Sequence, residues 1–416
     1  MPQDSAPLRP LDDQIARVLG LATPLPIVRM PLAEAAGRTL AAPAVAAVDL
    51  PLFDSAAMDG YAVRAADVSI TPVTLRVVAD IPAGSALDPE LPPRCAVRIM
   101  TGAAVPGGAD TVVPFEQTEG GRAAGRGSLP ASVTVLAATA GAHVRHRGED
   151  VRPGDSVLPA GVELGARRLS TAAAAGIAEV DVRPAPRVAV ISTGSELAAP
   201  GAALGRGRVP ESNSLLIAGL VREAGAHPVL VATVADRVEG LQRTLADARA
   251  AGADLVVTTG GVSAGAYEVV RDALAAELEF VEVAMQPGRP QASGRLPGGP
   301  LVVSLPGTPT AAAVVFELVV RPALLALQGR AALHRPRLRM PVDARYRRRP
   351  GRTGYRPVAI DRDDPAAWIA RDTASAVSRS GPHSVTGLGS ADGLAVIPAG
   401  EGAIEPGDAV EVVLLG

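Results

Sequence analysis

The chain contains no lysine: all 40 cationic side chains are arginine. Schiff-base chemistry on a lysine amine and a lysine-bearing phosphate loop are therefore excluded. The single cysteine, Cys95, rules out a disulfide framework and a paired-cysteine metal site, and it suits a reducing cytoplasm. Aromatic residues are 2% of the chain, too few for base-stacking platforms. Neither sign of charge dominates. The net charge is -3, so no general attraction to nucleic acid is expected. No uninterrupted apolar run approaches the roughly 18 residues of a membrane helix. The opening Met1-Pro2-Gln3-Asp4 lacks the basic start and apolar run of a signal peptide. The five histidines (His143, His146, His227, His334, His383) show no zinc-site spacing. These absences describe a cytoplasmic protein without nucleic-acid or membrane partners.

With 48% hydrophobic and 20% charged residues, the composition is that of a globular chain. Its 416 residues suggest about three domains at ~150 residues each. Residues 1–46 read as mostly helical. Asp12 and Asp13 lead an apolar repeat, and a short helix is expected over Pro31–Gly37. From 47 to 140 the pattern is short β runs, such as Thr74–Val78 and Val97–Met100. Gly120–Gly127 reads as a hairpin tip. Residues 141–180 hold turns and an Ala-rich helix near Arg168–Ala175. Over 181–329 strands alternate with helices. Arg187–Ile191 carries an unbroken apolar run of the kind a buried parallel strand needs, and Val229–Val234, Leu255–Thr259 and Leu301–Ser304 read as further strands of a mainly parallel sheet. Ser212 and Asn213 read as the cap of a helix carrying Leu216, Leu220 and Val221. Residues 330–416 turn β again, with Arg-rich 345–356 between strands.

In an open α/β sheet, ligands bind beyond the carboxyl ends of the strands. Four loops qualify: Ser192-Thr193-Gly194-Ser195-Glu196, Ala235-Asp236-Arg237, Gly260-Gly261-Val262-Ser263-Ala264-Gly265, and Leu305-Pro306-Gly307-Thr308. Glycines let backbone N–H groups approach a phosphate, and helix N-termini add positive charge. Glu196, Asp236 and Glu268 lie beside these loops. Carboxylates next to phosphates repel unless a divalent cation lies between them, which points to Mg²⁺ held together with substrate phosphates. The alternative is carboxylates that only stabilise helix dipoles. Three further runs are candidates: Asp59 in Asp54-Ser55-Ala56-Ala57-Met58-Asp59-Gly60-Tyr61, Thr101 in Arg98-Ile99-Met100-Thr101-Gly102, and Arg147 and Asp150 in Arg145-His146-Arg147-Gly148-Glu149-Asp150. In the last, paired arginines suit an oxyanion; a solvated charged turn is the alternative.

Taken together and in this order, the motifs resemble the molybdopterin molybdenumtransferase family, the MoeA proteins and the gephyrin E domain. The resemblance runs from about residue 12 to the end. It rests on Phe53–Val63, Arg98–Ala103, Arg147–Asp150, Ser192–Leu197, Gly260–Gly265 and Leu305–Gly307. It implies a multidomain α+β architecture of four parts. These are a discontinuous helical domain (1–46 plus 141–180), a β-rich domain (47–140), a central three-layer α/β molybdopterin-binding domain (181–329) and a C-terminal β-barrel (330–416). It also implies a homodimer whose active sites are shared between subunits. Partners such as a molybdopterin adenylyltransferase and molybdoenzyme-maturation proteins are compatible with that role.

The implied reaction inserts molybdate into adenylylated molybdopterin and releases AMP, with Mg²⁺. By family position Asp59, Glu196, Asp236 and Glu268 are the functional acids, the last three around the metal. Thr101, Arg147, Asp150, Gly194, Ser195, Asn213, Gly260, Gly261, Ser263, Gly265, Arg289, Pro306 and Gly307 would contact substrate. The chain departs from the family pattern at Glu268, where aspartate is usual, and at Gln286 and Arg289, where lysines are common. Thr308 replaces the usual asparagine, and Pro382 falls where serine is common. Glu211 and Asn213 occupy a run that is commonly Asp-Ser-Asn. The alternatives are a non-catalytic paralogue that binds the pterin nucleotide or acts as a dimeric scaffold, and an enzyme of the adenylyl-transfer step.

Overall fold

A computed structural model describes residues 7–122, 127–263, 268–364, 368–373 and 385–415. Among the described residues one of two six-stranded sheets runs, in spatial order, His227–Val234, Arg187–Thr193, Leu255–Thr259, Leu301–Leu305, Pro290–Arg295, Leu278–Glu282. The first four strands are mutually parallel, and Pro290–Arg295 runs antiparallel to both its neighbours. The apolar runs behave as expected of strands covered on both faces. Val188 and Val190 face a layer containing Ile217, Val221 and Val314; Ala189 and Ile191 face Leu241, Leu245 and Val270. Each such Val, Leu or Ile side chain contributes about 1.5–3 kcal/mol on burial, so alternate residues of one strand fasten opposite helix layers. Helices Asn213–Glu223 and Val238–Ala250 lie where the 3.6-residue repeat places them. The strands Leu278–Glu282 and Pro290–Arg295 were not legible, because Glu279, Glu282, Gln291 and Ser293 interrupt any apolar run.

The continuous helical segment Pro309–Leu327 has a mean hydropathy of 1.9 and is long and apolar enough to cross a membrane, but 89% of it is buried within the protein. Its middle widens into a π turn, Phe316–Val320, where the Arg321 N–H reaches back to the Phe316 carbonyl. Pro322 lies one residue further on; it has no N–H and would clash with a carbonyl four residues back, which accounts for the wider turn.

Of residues 7–46, only Leu11–Leu21 is an α-helix. The helix expected over 31–37 is instead a single 3₁₀ turn, Leu32–Glu34, following the strand Val28–Pro31. Tertiary pairing overrides local propensity here, since Val28–Pro31 and Thr39–Leu40 flank Glu179–Arg183 in one sheet. The β-rich segment forms a five-stranded sheet ordered Thr111–Pro114, Gly60–Val63, Cys95–Ile99, Val73–Ile81, Ser132–Val135. The hairpin tip expected at 120–127 falls partly outside the described residues. In the C-terminal segment, Ile369–Asp372, Thr353–Asp361, Gly393–Ile397, Ala409–Leu414 and Arg337–Pro341 pair in succession. A bridge between Val342 and Ala370 joins the two ends, closing the sheet on itself. Arg352 leads directly into the strand Thr353–Asp361, so the Arg-rich stretch is not wholly a connection between strands. The short strand Met285–Gln286 pairs in parallel with Thr353–Gly354 and docks this barrel on the α/β unit.

Candidate active site

All four loops singled out above leave the same edge of the parallel sheet, and hydrogen bonds tie them together. The Gly194 N–H donates to the Val234 carbonyl at 3.0 Å, and Gly260 N–H donates to Leu305 O at 3.0 Å. Thr193 Oγ1 donates to the Thr259 carbonyl at 3.2 Å. Ser195 N–H donates to Asp236 Oδ2 at 2.8 Å, while Asp236 N–H donates to Ser195 Oγ at 3.0 Å. Asn213 Nδ2 donates to Gly307 O at 2.7 Å. Ser263 N–H donates to Glu268 Oε2 at 2.9 Å, and Gly261 O accepts the Arg271 N–H at 3.2 Å. Gly194, Ser195, Asp236, Asn213, Gly260 and Gly307 are thus brought into one bonded array.

The glycines have specific reasons to be there. Gly260 has φ +89°, and a Cβ on it would lie 2.6 Å from Thr193 O. The Glu196 carboxylate folds over Gly194, where a Cβ would be 2.7 Å from Glu196 Oε2. The Ser212-Asn213 cap is not as expected. Ser212 occupies the N-cap position without a side-chain capping bond, and Asn213 is already the first helical residue. Glu211 caps the helix instead, accepting Ser214 N–H at 2.8 Å, which frees the Asn213 amide for Gly307.

Beside this array lies a cavity of about 410 Å³ lined by Ser263, Gln286, Arg289, Pro306, Gly307, Thr308 and Arg352, among others. Arg289 pairs with Glu282 at 3.2 Å. Gln286 Oε1 accepts a hydrogen bond from Arg349 Nη1 at 3.0 Å, and Arg347, Arg352 and Arg356 share a cleft with it. Burial pulls the Arg356 guanidinium below its ordinary pKa. This concentration of cations suits a dianion. The sequence did not point to Arg349 and Arg352 beside this cavity; they are remote in sequence from Gln286, and only the pairing of Met285–Gln286 with Thr353–Gly354 brings them near.

A second cavity, about 440 Å³, lies in the β-rich unit and is lined by Ala57, Met58, Asp59, Met100, Thr101, Phe115, Glu116 and Arg122. Asp59 Oδ1 accepts both the backbone N–H and the hydroxyl of Thr101, each at 2.7 Å. These bonds, the backbone one foremost, hold the Asp59 carboxyl below the usual carboxylate range, with help from the charge of Arg122. Glu116 and Arg122, paired with each other, also line this cavity, and the sequence did not signal them. The two cavities share no lining residue.

Two other candidates stand apart. Arg147 and Asp150 line neither cavity. Arg147 is exposed and binds Asp49 at 2.6 Å, and Asp150 lies 3.5 Å from Arg145. They belong to a charged turn joined to the 49–54 loop, with Arg147 N–H also on Asp54 Oδ1 at 2.7 Å. Among the described residues no group of three acidic, His or Cys side chains is close enough to hold a metal. Glu196, Asp236 and Glu268 therefore do not form a ready three-carboxylate site: Asp236 and Glu268 each commit one oxygen to a backbone N–H. Gly265 and Pro382 lie outside the described residues.

This division into sheet-edge loops, β-rich cavity and closed C-terminal sheet matches a known family. Residues 9–176 match the model "MoeA N-terminal region (domain I and II)", 189–326 "Probable molybdopterin binding domain", and 339–415 "MoeA C-terminal region (domain IV)". The chain is 44% identical over 386 residues to "Molybdopterin molybdenumtransferase 2" of Mycobacterium tuberculosis, covering 89% of this chain and 91% of that protein. It is 38% identical over 304 residues to "Molybdopterin molybdenumtransferase" of Nostoc sp., covering 71% and 68%. The solved structure of the molybdopterin biosynthesis moeA protein from Pyrococcus horikoshii OT3 superposes with a TM-score of 0.80 at 27% identity, over 98% of this chain and 100% of that one. The chain belongs to the molybdopterin molybdenumtransferase family, the MoeA proteins.

Proposed function

We propose that this chain inserts molybdate into adenylylated molybdopterin and releases AMP, a transferase step of molybdenum cofactor synthesis. The observation that carries the reading is the junction of the glycine-loop array with the arginine-lined cavity. The array sets the N-terminus of the helical segment Pro309–Leu327 beside the glycine loops, where its dipole favours a phosphate linkage. The cavity presents Arg289 and Arg352 to an oxyanion. The pterin dithiolene brings its own sulfur ligands for molybdenum, so the chain needs none from cysteine.

Substrate phosphates next to Glu196, Asp236 and Glu268 call for a hard divalent cation. Mg²⁺ is commonly held by one or two carboxylates completed by phosphate oxygens and water, which suits carboxylates that do not cluster by themselves. Asp236 and Glu196 would hold it, and it would neutralise charge on the phosphate linkage. Ser195 and the backbone around Gly260–Ser263 orient the nucleotide. Gln286, Arg289 and Arg352 receive molybdate. Asp59, kept ionised by Thr101, acts as a proton acceptor at the reacting group.

Because Asp59 and Thr101 line a cavity separate from the loop array, the reading pairs two copies of the chain, each lending its Asp59 cavity to the other's loops. Incubating the protein with adenylylated molybdopterin, Mg²⁺ and molybdate, and measuring AMP, tests the reaction. Molybdate-dependent AMP is the expected result. Tight binding without AMP would favour a binding paralogue, for which the engagement of Gln286 by Arg349 is the structural hint.

A further inference from the structure

Glu211 is a buried acid that the reaction outlined above does not use. It is only 5% exposed. Ser192 Oγ and the Ser214 N–H both donate to its Oε1 at 2.8 Å, and the Ser214 hydroxyl donates to its Oε2. All of these partners are neutral. Keeping a carboxylate in such a place is costly unless its bonds are all made. Closing the helix end accounts for the Ser214 bonds but not for the bond from Ser192, which lies on a different element.

The partners of Glu211 explain it better. Ser192 lies near the end of the strand Arg187–Thr193, just before Gly194-Ser195-Glu196. Its hydroxyl also accepts the Thr259 hydroxyl at 3.3 Å, and Thr259 ends the strand that opens into Gly260-Gly261. On the helix side, Asn213 adjoins Ser214 and holds the Gly307 carbonyl at 2.7 Å. One carboxylate therefore ties together the roots of three of the four loops. The hydroxyl bonds run in one direction, from Thr259 to Ser192 to Glu211, and end on Glu211 Oε1.

We propose that Glu211 is a positioning residue for molybdenum transfer, setting the spacing of the nucleotide-binding loops through Ser192 and Ser214. The proposal rests on the site assignment above. Its test is a cycle of Glu211→Gln, Ser192→Ala and the double variant in the full chain, followed by AMP release, AMP affinity by titration, and thermal unfolding. Each single variant is expected to lower kcat about 10–100-fold, the usual effect of losing an outer-shell partner. The double variant should be no worse than the poorer single, with little change in the KM for molybdate or in Tm. Parental kcat in both singles, or losses that simply add and follow Tm, overturns the proposal. Should Glu211→Gln not fold, Ser192→Ala decides alone: it cuts the tie to the loop but leaves the Ser214 cap, and a parental kcat overturns the proposal. If the parent chain binds AMP but releases none from adenylylated molybdopterin, the reaction assignment fails. Glu211 is then judged on AMP affinity, where a shared, non-additive loss supports the proposal and parental affinity overturns it.

Discussion

Ser195 and Asp236 hold each other in both directions: the Ser195 N–H binds Asp236 Oδ2 at 2.8 Å, and the Asp236 N–H binds Ser195 Oγ at 3.0 Å. The loops after two neighbouring parallel strands are thereby locked at the sheet edge, leaving Asp236 Oδ1 for another partner. Two substitutions separate the lock from the charge. Asp236→Asn keeps an acceptor for Ser195 but removes the negative charge, so the fold should survive while half-saturation by Mg²⁺ moves to higher concentration. Ser195→Ala removes one neutral bond, a loss of about 0.5–1.5 kcal/mol, and should leave the Mg²⁺ dependence where it was. Titrating Mg²⁺ against AMP release distinguishes them; an unmoved Asp236→Asn curve would remove Asp236 from the metal site.

Asp59 makes a second separable pair. Asn at this position retains an oxygen acceptor for both Thr101 donors, so Asp59→Asn should fold while turnover falls by at least about 10²-fold. The pH dependence has a definite sign. The folded Asp59 carboxyl lies below its ordinary value, so its stabilising contribution is complete above the unfolded carboxylate pKa of about 3.9. It is lost only as the pH falls through the lower folded value. The difference in Tm between parent and Asp59→Asn should therefore be flat across neutral and mildly acidic pH and shrink only in the acid range. A difference that collapses near neutrality would contradict the Thr101 clamp.

Particular residues show which features were legible. The runs around Val190, Val257 and Val303 were readable as parallel strands because both faces are buried and apolar residues follow one another without alternation. The loops after them followed from topology alone. Pro290–Arg295 was not readable, because an antiparallel strand carrying Gln291, Ser293 and Gly294 has no apolar run to announce it. The segment 31–37 misled because its Pro and Gly fit a helix, while its flanking strands pair with residues nearly 150 positions away. Arg352 was invisible for the same kind of reason, since a strand pairing made at the domain junction cannot be read from local spacing. Arg147 and Asp150 were picked out by composition, while their pairing with Asp49 and Arg145, the first remote in sequence, became visible only in the fold.

Arg352 carries the sharpest prediction for molybdate. It lines the cavity next to Gln286 and Gly307, where a hydrogen bond to an anion contributes about 1.5–3 kcal/mol. Arg352→Ala should raise the KM for molybdate about 10–100-fold and leave the KM for the pterin nucleotide close to the parent's. The penalty should change little with added salt if the guanidinium touches molybdate directly, because close pairs sheltered from solvent are weakly screened. Equal rises in both KM values would show that Arg352 holds the domain junction and not the anion.

Gly260 and Gly307 adjoin in the loop array but should respond differently to a methyl group. At Gly260 a Cβ would press to 2.6 Å from Thr193 O and 2.8 Å from Thr193 Oγ1, in backbone with φ +89°. Both atoms belong to a strand end that cannot retreat, so Gly260→Ala should destabilise the protein by about 1–3 kcal/mol from strain, visible as a lowered Tm with or without substrate. At Gly307 the nearest atom to a new Cβ is the Gly260 Cα at 3.5 Å, an ordinary contact. Gly307→Ala should therefore keep the parental Tm. The added methyl would occupy the gap between Gly307 and the Gly260 loop, where the proposed function places the phosphate linkage, so the KM for adenylylated molybdopterin should rise. A Gly307→Ala enzyme with parental KM would show that the nucleotide does not approach this turn, and would move the phosphate site toward Gly194 and Ser195.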